Sequence, residues 1–388
     1  MSGLRILADQ NIPGLEHFFE PLGSIRTLPG RAIQAPDLRD IDVLLVRSVT
    51  RVDEALLKDS SVRFVGTATI GTDHLDTDYL RGAGIQWASA PGCNALAVGD
   101  YVLSCLALAT TDRNRSLEQL SVGIVGCGNV GGGLHQRLSD LGLTVLANDP
   151  PREAAGESGF SNLDEVLACD AVCLHAPLVN QGPWPTHHLL DARRVEALRS
   201  DQILISAGRG AVVDNQALYE RLQAPDGGPW TALDVWENEP GIDAGLAERV
   251  CIGTPHVAGY SLEGKLRGTA MIHEALCRYL GVQSDRSMEP LLPPAERLWI
   301  DGAEGVEPFA VLSQALLAAY NPALDSADLK KTLTGDASDR SGAFDRLRKT
   351  YPVRREFGNM VPAGVKDPTA LRLLAAAGFA AVTGKRGS

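Results

Sequence analysis

Three features are scarce in this 388-residue sequence: paired cysteines, long apolar runs and excess positive charge. The seven cysteines are odd in number and widely scattered, with no C-x-x-C pair and no Cys/His spacing typical of zinc, so we expect free thiols in a reducing compartment and no bound metal. No run approaches the roughly 18 apolar residues that a membrane-spanning helix needs. The N-terminal apolar run breaks at Asp9, too early for a secretory signal. We therefore expect a cytoplasmic protein that does not associate with membranes.

The charge balance is acidic, because 36 Lys and Arg residues oppose 48 Asp and Glu residues and leave a net charge of −12. Such a surface disfavours general binding to nucleic acid, so an anionic substrate must meet a local group of arginines or lysines. The hydrophobic share of 44% and the charged share of 22% are ordinary for a folded protein. At about 150 residues per domain, the length predicts two or three domains.

Short apolar runs in the first ninety residues predict strands of a parallel sheet. Because the runs are nearly continuous in apolar character, they are typical of strands buried on both faces. The intervals between most of them suit a helix, which predicts a compact α/β unit. The runs are Leu4–Ala8, Ser24–Leu28, Val43–Arg47, Arg63–Thr67 and Ile85–Ala88.

A second series of strand patterns begins after Asn94, which suits the N-cap of an apolar helix over Ala95–Ala109. Helical patterns separate several of these strands, and six strands in βαβ order predict a doubly wound Rossmann sheet. The strand patterns are Ser121–Val125, Leu143–Ala147, Ala171–His175, Ile203–Ser206, Ala232–Val235 and Val250–Ile252.

The pattern changes again after Gly281, where Pro290, Pro293 and Pro294 indicate a linker. The remaining hundred residues contain helical patterns at Phe309–Tyr320 and Ala370–Ala376, separated by polar stretches. We expect a third, smaller α+β domain without a chemical motif of its own.

A glycine motif follows the first strand of the second series. In the G-x-G-x-x-G sequence, Gly126 permits a tight turn, Gly128 lets a pyrophosphate approach the backbone, and Gly131 lets the next helix lie close to the sheet. The helix N-terminus, with its free N–H groups, then faces the phosphates. Asp149 ends the second strand, where a carboxylate binds ribose hydroxyls and repels a 2′-phosphate, so the motif favours NAD over NADP. The alternative is a glycine turn without a ligand.

Three further segments at the ends of later strands each supply one group for oxidising an alcohol beside a carboxylate. His256 suits the base, because imidazole titrates near neutral pH. Glu239 suits the partner that holds the base in one tautomer, and Arg209 suits a planar clamp for the carboxylate. Taken singly, each has a plainer interpretation: a loop histidine, a surface Glu-Pro turn and an arginine paired with an acid.

Together, the glycine motif with Asp149, Arg209 in GRGAVVD, Glu239 in DVWENEP and His256 in GTPHVAG resemble the D-isomer-specific 2-hydroxyacid dehydrogenases over about residues 1 to 280. The resemblance implies NAD as cofactor and Arg209, Glu239 and His256 as the catalytic set. It implies a flavodoxin-like substrate domain at 1–93 and 258–281, a Rossmann NAD domain at 94–257 and a C-terminal dimerisation domain at 282–388, in a homodimer.

The same resemblance implies which residues surround the ligands. Ala176 and Gly208 depart from the family, in which Thr and Cys are expected, so a side-chain contact at 176 is lost. The implied substrate contacts are Ser48, Thr69 and Tyr260. The implied cofactor contacts are Gly126, Gly128, Asn129, Val130, Gly131, Asp149, Ala176, Ala207, Gly208, Arg209, Asp234 and Gly259.

Further motifs narrow the resemblance to a branch of the family with a phosphorylated hydroxy acid as substrate; among them are VRSVT (46–50), APGCN (90–94) and FDRLRK (344–349). A substrate with a phosphate and a carboxylate needs two anion sites. Arg47 is a candidate for one of them, unless it pairs with Asp42 or Asp53. Residues 340–355 carry six basic side chains and one acid, which form either a solvated face or a phosphate site.

Two other functions stay open at this point. One is the oxidation of a different 2-hydroxy acid, such as 3-phosphoglycerate, although the C-terminal hundred residues lack an obvious βαββαβ regulatory pattern. The other is a non-catalytic protein that senses NAD(H), which the joint presence of His256, Glu239 and Arg209 disfavours.

Overall fold

The computed structural model describes residues 3–300 and 305–381. The strands are β1 (Leu4–Asp9), β2 (Gly23–Leu28), β3 (Val43–Val46), β4 (Phe64–Thr67), β5 (Gln86–Ala88), β6 (Ser121–Val125), β7 (Thr144–Asn148), β8 (Ala171–Leu174), β9 (Ile203–Ser206), β10 (Trp230–Leu233), β11 (Ile252–Gly253), β12 (Glu296–Trp299) and β13 (Met360–Ala363).

Helices alternate with these strands. They are α1 (Leu15–Phe19), α2 (Glu54–Leu57), α3 (Thr77–Gly82), α4 (Ala95–Asp112), α5 (Asn129–Asp140), α6 (Pro150–Ala154), α7 (Leu163–Leu167), α8 (Ala192–Glu196), α9 (Asn215–Arg221), α10 (Ala244–Arg249), α11 (Leu262–Leu280), α12 (Pro308–Ala319), α13 (Pro322–Lys331), α14 (Ala337–Lys349) and α15 (Pro368–Ala376).

The chain divides into two compact units. The first contains Met1–Asn94 and Ser261–Pro294, and the second contains Ala95–Tyr260 and Ala295–Ser388. The predicted division put 258–281 with the first segment and made 282–388 a separate domain. The structure instead groups residues up to 294 with the first unit, and it groups the following segment with the six-stranded sheet.

The first unit is built on a parallel sheet in the order β2-β1-β3-β4-β5. This order is that of flavodoxin-like folds, so the predicted fold class of this region is confirmed. Neighbouring residues of one strand enter different cores: Leu7 packs on one face of the sheet and Ile6 on the other. The nearly continuous apolar runs therefore reflect strands that are buried on both faces.

The second unit is built on a parallel six-stranded sheet in the order β11-β10-β9-β8-β6-β7. The chain adds β7 on one side of β6 and then β8 on the other side, so the strand order switches between β6 and β8. Ligands of open α/β sheets bind at such a switch point, beyond the carboxyl ends of the strands. The predicted Rossmann fold is confirmed. Two strands, β6 and β9, have the predicted bounds, and the other four differ by one or two residues at one or both ends. Strand β10 ends at Leu233, and the Asp234 side chain that follows it accepts a hydrogen bond from the next loop.

Helix α4 is long and apolar enough, by length and composition, to cross a membrane, and 72% of it is buried within the protein. Apolar character on all sides is also typical of a core helix. Its interior acid, Asp100, accepts hydrogen bonds from Arg137 Nη2 at 2.6 Å and from the Phe357 backbone N–H at 3.0 Å. Burial raises the pKa of Asp100, although Arg137 and the Phe357 N–H act to lower it.

Further hydrogen bonds show why the C-terminal segment joins the second unit. Arg137 Nε also donates to the Ala377 carbonyl at 3.0 Å, and Gly253 N–H donates to Ser326 Oγ at 3.0 Å. The predicted helices are present as α12 and α15. The sequence patterns did not predict the parallel pair β12–β13, since its strands are sixty residues apart and β12 is largely exposed.

All seven cysteines lie within the described residues and are thiols outside any disulfide, as predicted. Six are buried and Cys251 is exposed.

Candidate active site

The glycine turn between β6 and α5 has the shape that its sequence predicts. Gly126 adopts φ +85°, and a Cβ there would lie 2.6 Å from the Ala176 nitrogen. A Cβ on Gly131 would lie 2.0 Å from the Gly126 carbonyl oxygen, so α5 can approach the sheet only with glycine there. A Cβ on Gly128 would meet nothing within 4 Å. The backbone at Gly128 is thus open to a ligand, as a pyrophosphate would require.

Helix α5 begins at Asn129, followed by Val130, so its N-terminal N–H groups lie directly after this turn. Asp149 follows β7 beside the same turn. Its Oδ2 accepts a hydrogen bond from the Cys127 N–H at 2.8 Å, and its Oδ1 accepts one from the Arg152 N–H at 3.3 Å. A carboxylate accepts about four hydrogen bonds, so Asp149 keeps the capacity to bind ribose hydroxyls.

Ala176 and Ala207 follow the adjacent strands β8 and β9, and Ala176 is buried. A Cβ on Gly208 would lie 2.9 Å from the Ala176 carbonyl oxygen. The backbone after β9 thus lies so close to the end of β8 that a larger residue at 208 would require a shift.

His256 and Glu239 form a hydrogen-bonded pair in which His256 Nδ1 lies 2.7 Å from Glu239 Oε2. The other oxygen of Glu239 accepts the Trp236 N–H at 2.8 Å. Burial acts to raise the pKa of Glu239, but His256, the Trp236 N–H and Arg348 outweigh it and the pKa is lowered. The carboxylate is therefore ionised at neutral pH.

The backbone of His256 adopts a left-handed conformation, with φ 57°, which is unfavourable for a residue with a Cβ. Asp234 holds this turn in place: its carboxylate accepts the N–H groups of Val257 at 2.7 Å and Ala258 at 3.0 Å, and the Thr254 hydroxyl at 2.7 Å. Burial raises the pKa of Asp234, against the opposing effects of His256 and these bonds. A residue predicted to contact the cofactor is thus also the anchor of the histidine loop.

Arg209 follows β9, and its Nη1 donates to the Gly208 carbonyl at 2.9 Å. Arg209, Glu239 and His256 line one cavity of about 380 Å³. Their convergence was predicted from their positions after neighbouring strands, and the geometry matches it.

The predicted substrate contacts lie in different parts of the chain. Ser48 is exposed after β3, and the hydroxyl of Thr69, after β4, lies 2.8 Å from the Thr67 hydroxyl in the first unit. Arg47 is half-buried there, while Asp42 pairs with Arg5 and Arg63, and Asp53 pairs with Arg51. The two acids that could have neutralised Arg47 are thus engaged elsewhere. The roles of Arg47, Ser48 and Thr69 stay predictions.

Tyr260, the fourth predicted substrate contact, lies in the second unit, just after Gly259. The ring of Tyr351 meets its ring edge-on, with centroids 5.8 Å apart, and the guanidinium of Arg348 lies 5.9 Å from its centroid. Sequence reasoning did not place these C-terminal residues at Tyr260. The surplus of basic residues at 340–355 was the signal, but it did not indicate which arginine is involved.

A second group that the sequence did not predict lies on the rim of the cavity. His188 Nε2 lies 2.5 Å from Glu237 Oε1, and the Glu237 N–H donates to Asn215 Oδ1 at 3.1 Å. With the exposed His187, this group brings three possible metal-ligand atoms within 4.8 Å of one another. The His188–Glu237 bond accounts for this group without a metal, because it supports the loop that carries Glu239.

The parallel six-stranded sheet, its glycine turn and the Arg-Glu-His cavity are those of an NAD-dependent dehydrogenase of D-isomer-specific 2-hydroxy acids. The family model "D-isomer specific 2-hydroxyacid dehydrogenase, NAD binding domain" matches residues 107–258, which confirms the predicted cofactor class. A second model, "Domain of unknown function (DUF3410)", matches residues 291–378.

Comparison with curated proteins defines the particular family. The chain is 49% identical over 376 residues to the erythronate-4-phosphate dehydrogenase of Stutzerimonas stutzeri, covering 96% of this chain and 98% of that protein. It is 52% identical over 361 residues to the protein of the same name from Pseudomonas aeruginosa, covering 91% and 93%. The chain therefore belongs to the erythronate-4-phosphate dehydrogenase family.

Solved structures support the fold. A 3-phosphoglycerate dehydrogenase from Entamoeba histolytica matches with a TM-score of 0.62 and 18% identity, covering 72% of this chain and 96% of that chain. An NAD-dependent formate dehydrogenase from Staphylococcus aureus matches with a TM-score of 0.59 and 22% identity, covering 71% and 96%. At this identity the likeness shows a shared fold.

Proposed function

We propose that this protein oxidises the C2 hydroxyl of 4-phospho-D-erythronate with NAD, giving (R)-3-hydroxy-2-oxo-4-phosphooxybutanoate for pyridoxal 5′-phosphate biosynthesis. The relatives' shared name supports the substrate. The observation that carries the chemistry is the 2.7 Å pair of His256 and Glu239 in one cavity with Arg209.

Each of the three side chains has one task in this proposal. With Nδ1 facing Glu239, His256 presents Nε2 to the substrate and takes the hydroxyl proton. Glu239 fixes that tautomer and stabilises the imidazolium that forms. Arg209 binds the substrate carboxylate through its planar fork. NAD supplies the hydride acceptor when it is bound.

The residues around the glycine turn fit such a cofactor. The open backbone at Gly128 and the N-terminus of α5 would hold the pyrophosphate, and Asp149 would hold the adenosine ribose. Ala176, Ala207, Gly208, Asp234 and Gly259 lie after the adjacent strands, and they would surround the nicotinamide end.

A turnover assay tests the function. Purified protein with NAD is given 4-phospho-D-erythronate, 3-phosphoglycerate or D-glycerate, and NADH formation is followed. We expect the highest kcat/KM with 4-phospho-D-erythronate. Higher kcat/KM with 3-phosphoglycerate would contradict the substrate, and NADH binding without any turnover would favour a sensor.

We also propose that the protein is a cytoplasmic homodimer that binds neither nucleic acid nor membranes. The acidic net charge and seven free thiols support the compartment and the absence of nucleic acid. The C-terminal segment exposes large apolar side chains at Trp299 (65%), Leu324 (68%) and Val353 (77%), which support an interface there.

Light scattering on the eluting protein tests the dimer. We expect twice the mass of one chain, and we expect Trp299→Asp to shift the mass toward one chain. A wild-type mass equal to one chain would contradict the proposal.

A further inference from the structure

Residues of the C-terminal segment pack against the ring of Tyr260. Arg348, on α14, and Tyr351, just after it, both contact its ring. They belong to residues 291–378, which match a domain with no assigned function. Tyr260 comes four residues after His256, and Arg348 is close enough to Glu239 to help lower its pKa.

Arg348 is a half-buried cation whose hydrogen bonding is incomplete. Its Nε is buried and has no hydrogen-bond partner within the described part of the chain. Burial acts to lower the pKa of Arg348, but Tyr260 and Glu239 outweigh it and the pKa is raised, so the side chain stays charged. Tyr260 hydrogen-bonds the same side chain. Because Arg348 is only half-buried, its remaining N–H donors can bind an anion beside Tyr260.

Neighbouring arginines of the same segment have other tasks. Arg354 is buried, donates to the carbonyls of Ala258 and Ala97, and stacks on Tyr320 at 4.4 Å. Arg355 pairs with Glu296 at 3.4 Å. Arg346 is exposed. The basic cluster at 340–355 is therefore neither a uniform solvated face nor a single binding patch, and Arg348 is the member placed beside Glu239 and Tyr260.

We propose that Arg348 binds the phosphate group of the substrate in the catalytic site of its own subunit. This inference rests on the proposed function for the identity of the substrate. The carboxylate next to the reacting carbon is assigned to Arg209 in the cavity, whereas the phosphate is at the other end of the molecule. A phosphate carries nearly two negative charges near neutral pH, and Glu237 and Glu239 would repel it without a further cation.

The test compares substrates that differ in the phosphate. Full-length wild type, Arg348→Ala and Arg348→Lys are assayed with 4-phospho-D-erythronate and with D-erythronate. Because a charge-assisted bond is lost, we expect Arg348→Ala to lower kcat/KM for the phosphorylated substrate by about 10- to 100-fold, chiefly through KM. The value for D-erythronate should change by less than about threefold, and Arg348→Lys should recover part of the loss. The exposed neighbour Arg346→Ala is the matched control and should behave as wild type.

Equal losses with both substrates, accompanied by a changed pH profile, would overturn the proposal and make Arg348 a residue that only positions Glu239. Unchanged KM in Arg348→Ala would overturn it as well.

A second measurement does not need turnover: inorganic phosphate should raise the Tm of wild type but not of Arg348→Ala. If 4-phospho-D-erythronate is not a substrate while this difference in Tm persists, the proposed function fails and the anion site stands. Absence of any phosphate effect on wild type would count against the site.

Discussion

His256 Nδ1 lies 2.7 Å from Glu239 Oε2, and the second oxygen of Glu239 is held by the Trp236 N–H at 2.8 Å. A carboxylate fixed at both oxygens holds the imidazole in one orientation. Because Nδ1 is engaged, Nε2 is the ring nitrogen that can accept a proton. The left-handed backbone at His256 and the Asp234 carboxylate beneath it bring that nitrogen to the cavity.

Removing the base should abolish most of the activity without unfolding the protein. We expect His256→Ala to lower kcat by about 10²- to 10⁴-fold, the range for losing general base catalysis, and Glu239→Gln to lower it less. Steady-state kinetics and circular dichroism check both points. His135→Ala, on α5 outside the cavity, is the control. Wild-type kcat in His256→Ala would contradict the assignment of the base.

Alanine at Gly131 should lower stability, whereas alanine at Gly128 should weaken cofactor binding. Gly131→Ala places a Cβ 2.0 Å from a backbone oxygen, so we expect lower stability by about 1–3 kcal/mol. Gly128→Ala meets no protein atom within 4 Å, so we expect normal stability and weaker NAD binding. Urea unfolding and calorimetric titration with NAD measure the two effects.

The control for this pair is Gly133→Ala in the same helix, which also has open space and should stabilise the fold by about 0.5–1 kcal/mol. Normal NAD affinity in Gly128→Ala would place the pyrophosphate elsewhere.

The sequence predicted the elements whose pattern is local. Nearly continuous apolar runs predicted strands such as β6 and β9 at their observed bounds, because a strand buried on both faces has few polar positions. The catalytic residues were predictable because parallel strands bring their carboxyl ends to one edge. Arg348 was not, since its approach to Tyr260 depends on the packing of α14, and no local pattern encodes that packing. The second role of Asp234 was missed for the same reason.

Asp234 should be needed for both stability and activity. Asp234→Ala leaves the N–H groups of Val257 and Ala258 and the Thr254 hydroxyl without their acceptor, so we expect a loss of about 2–4 kcal/mol in the free energy of unfolding and a lower kcat. Asp234→Asn keeps one acceptor oxygen and should lose less of both. Denaturant unfolding and kinetics measure the pair. An Asp234→Ala protein with wild-type kcat would show that the turn at His256 is held by other contacts.

Thiol labelling should distinguish one cysteine from the other six. Cys251 is exposed to solvent, while the other six cysteines are buried and out of reach of a reagent in the folded protein. We expect a maleimide to label one thiol in the native protein and seven after denaturation, with no early labelling in Cys251→Ser. Mass spectrometry counts the adducts, and rapid native labelling of several cysteines would contradict the packing around them.

The Glu239–His256 pair should also appear in the pH dependence of stability. Because the folded-state pKa of Glu239 is lowered from 4.5, its ionised form stabilises the fold at pH values above 4.5, and this contribution is lost as the pH falls through the folded pKa below that value. Glu239→Gln cannot titrate at this position. We therefore expect wild type to exceed Glu239→Gln in free energy of unfolding at pH 6, and the difference to shrink as the pH falls below 4.5. Denaturant unfolding at a series of pH values measures it, and a difference independent of pH would mean that the pair gives Glu239 no preference for its ionised form.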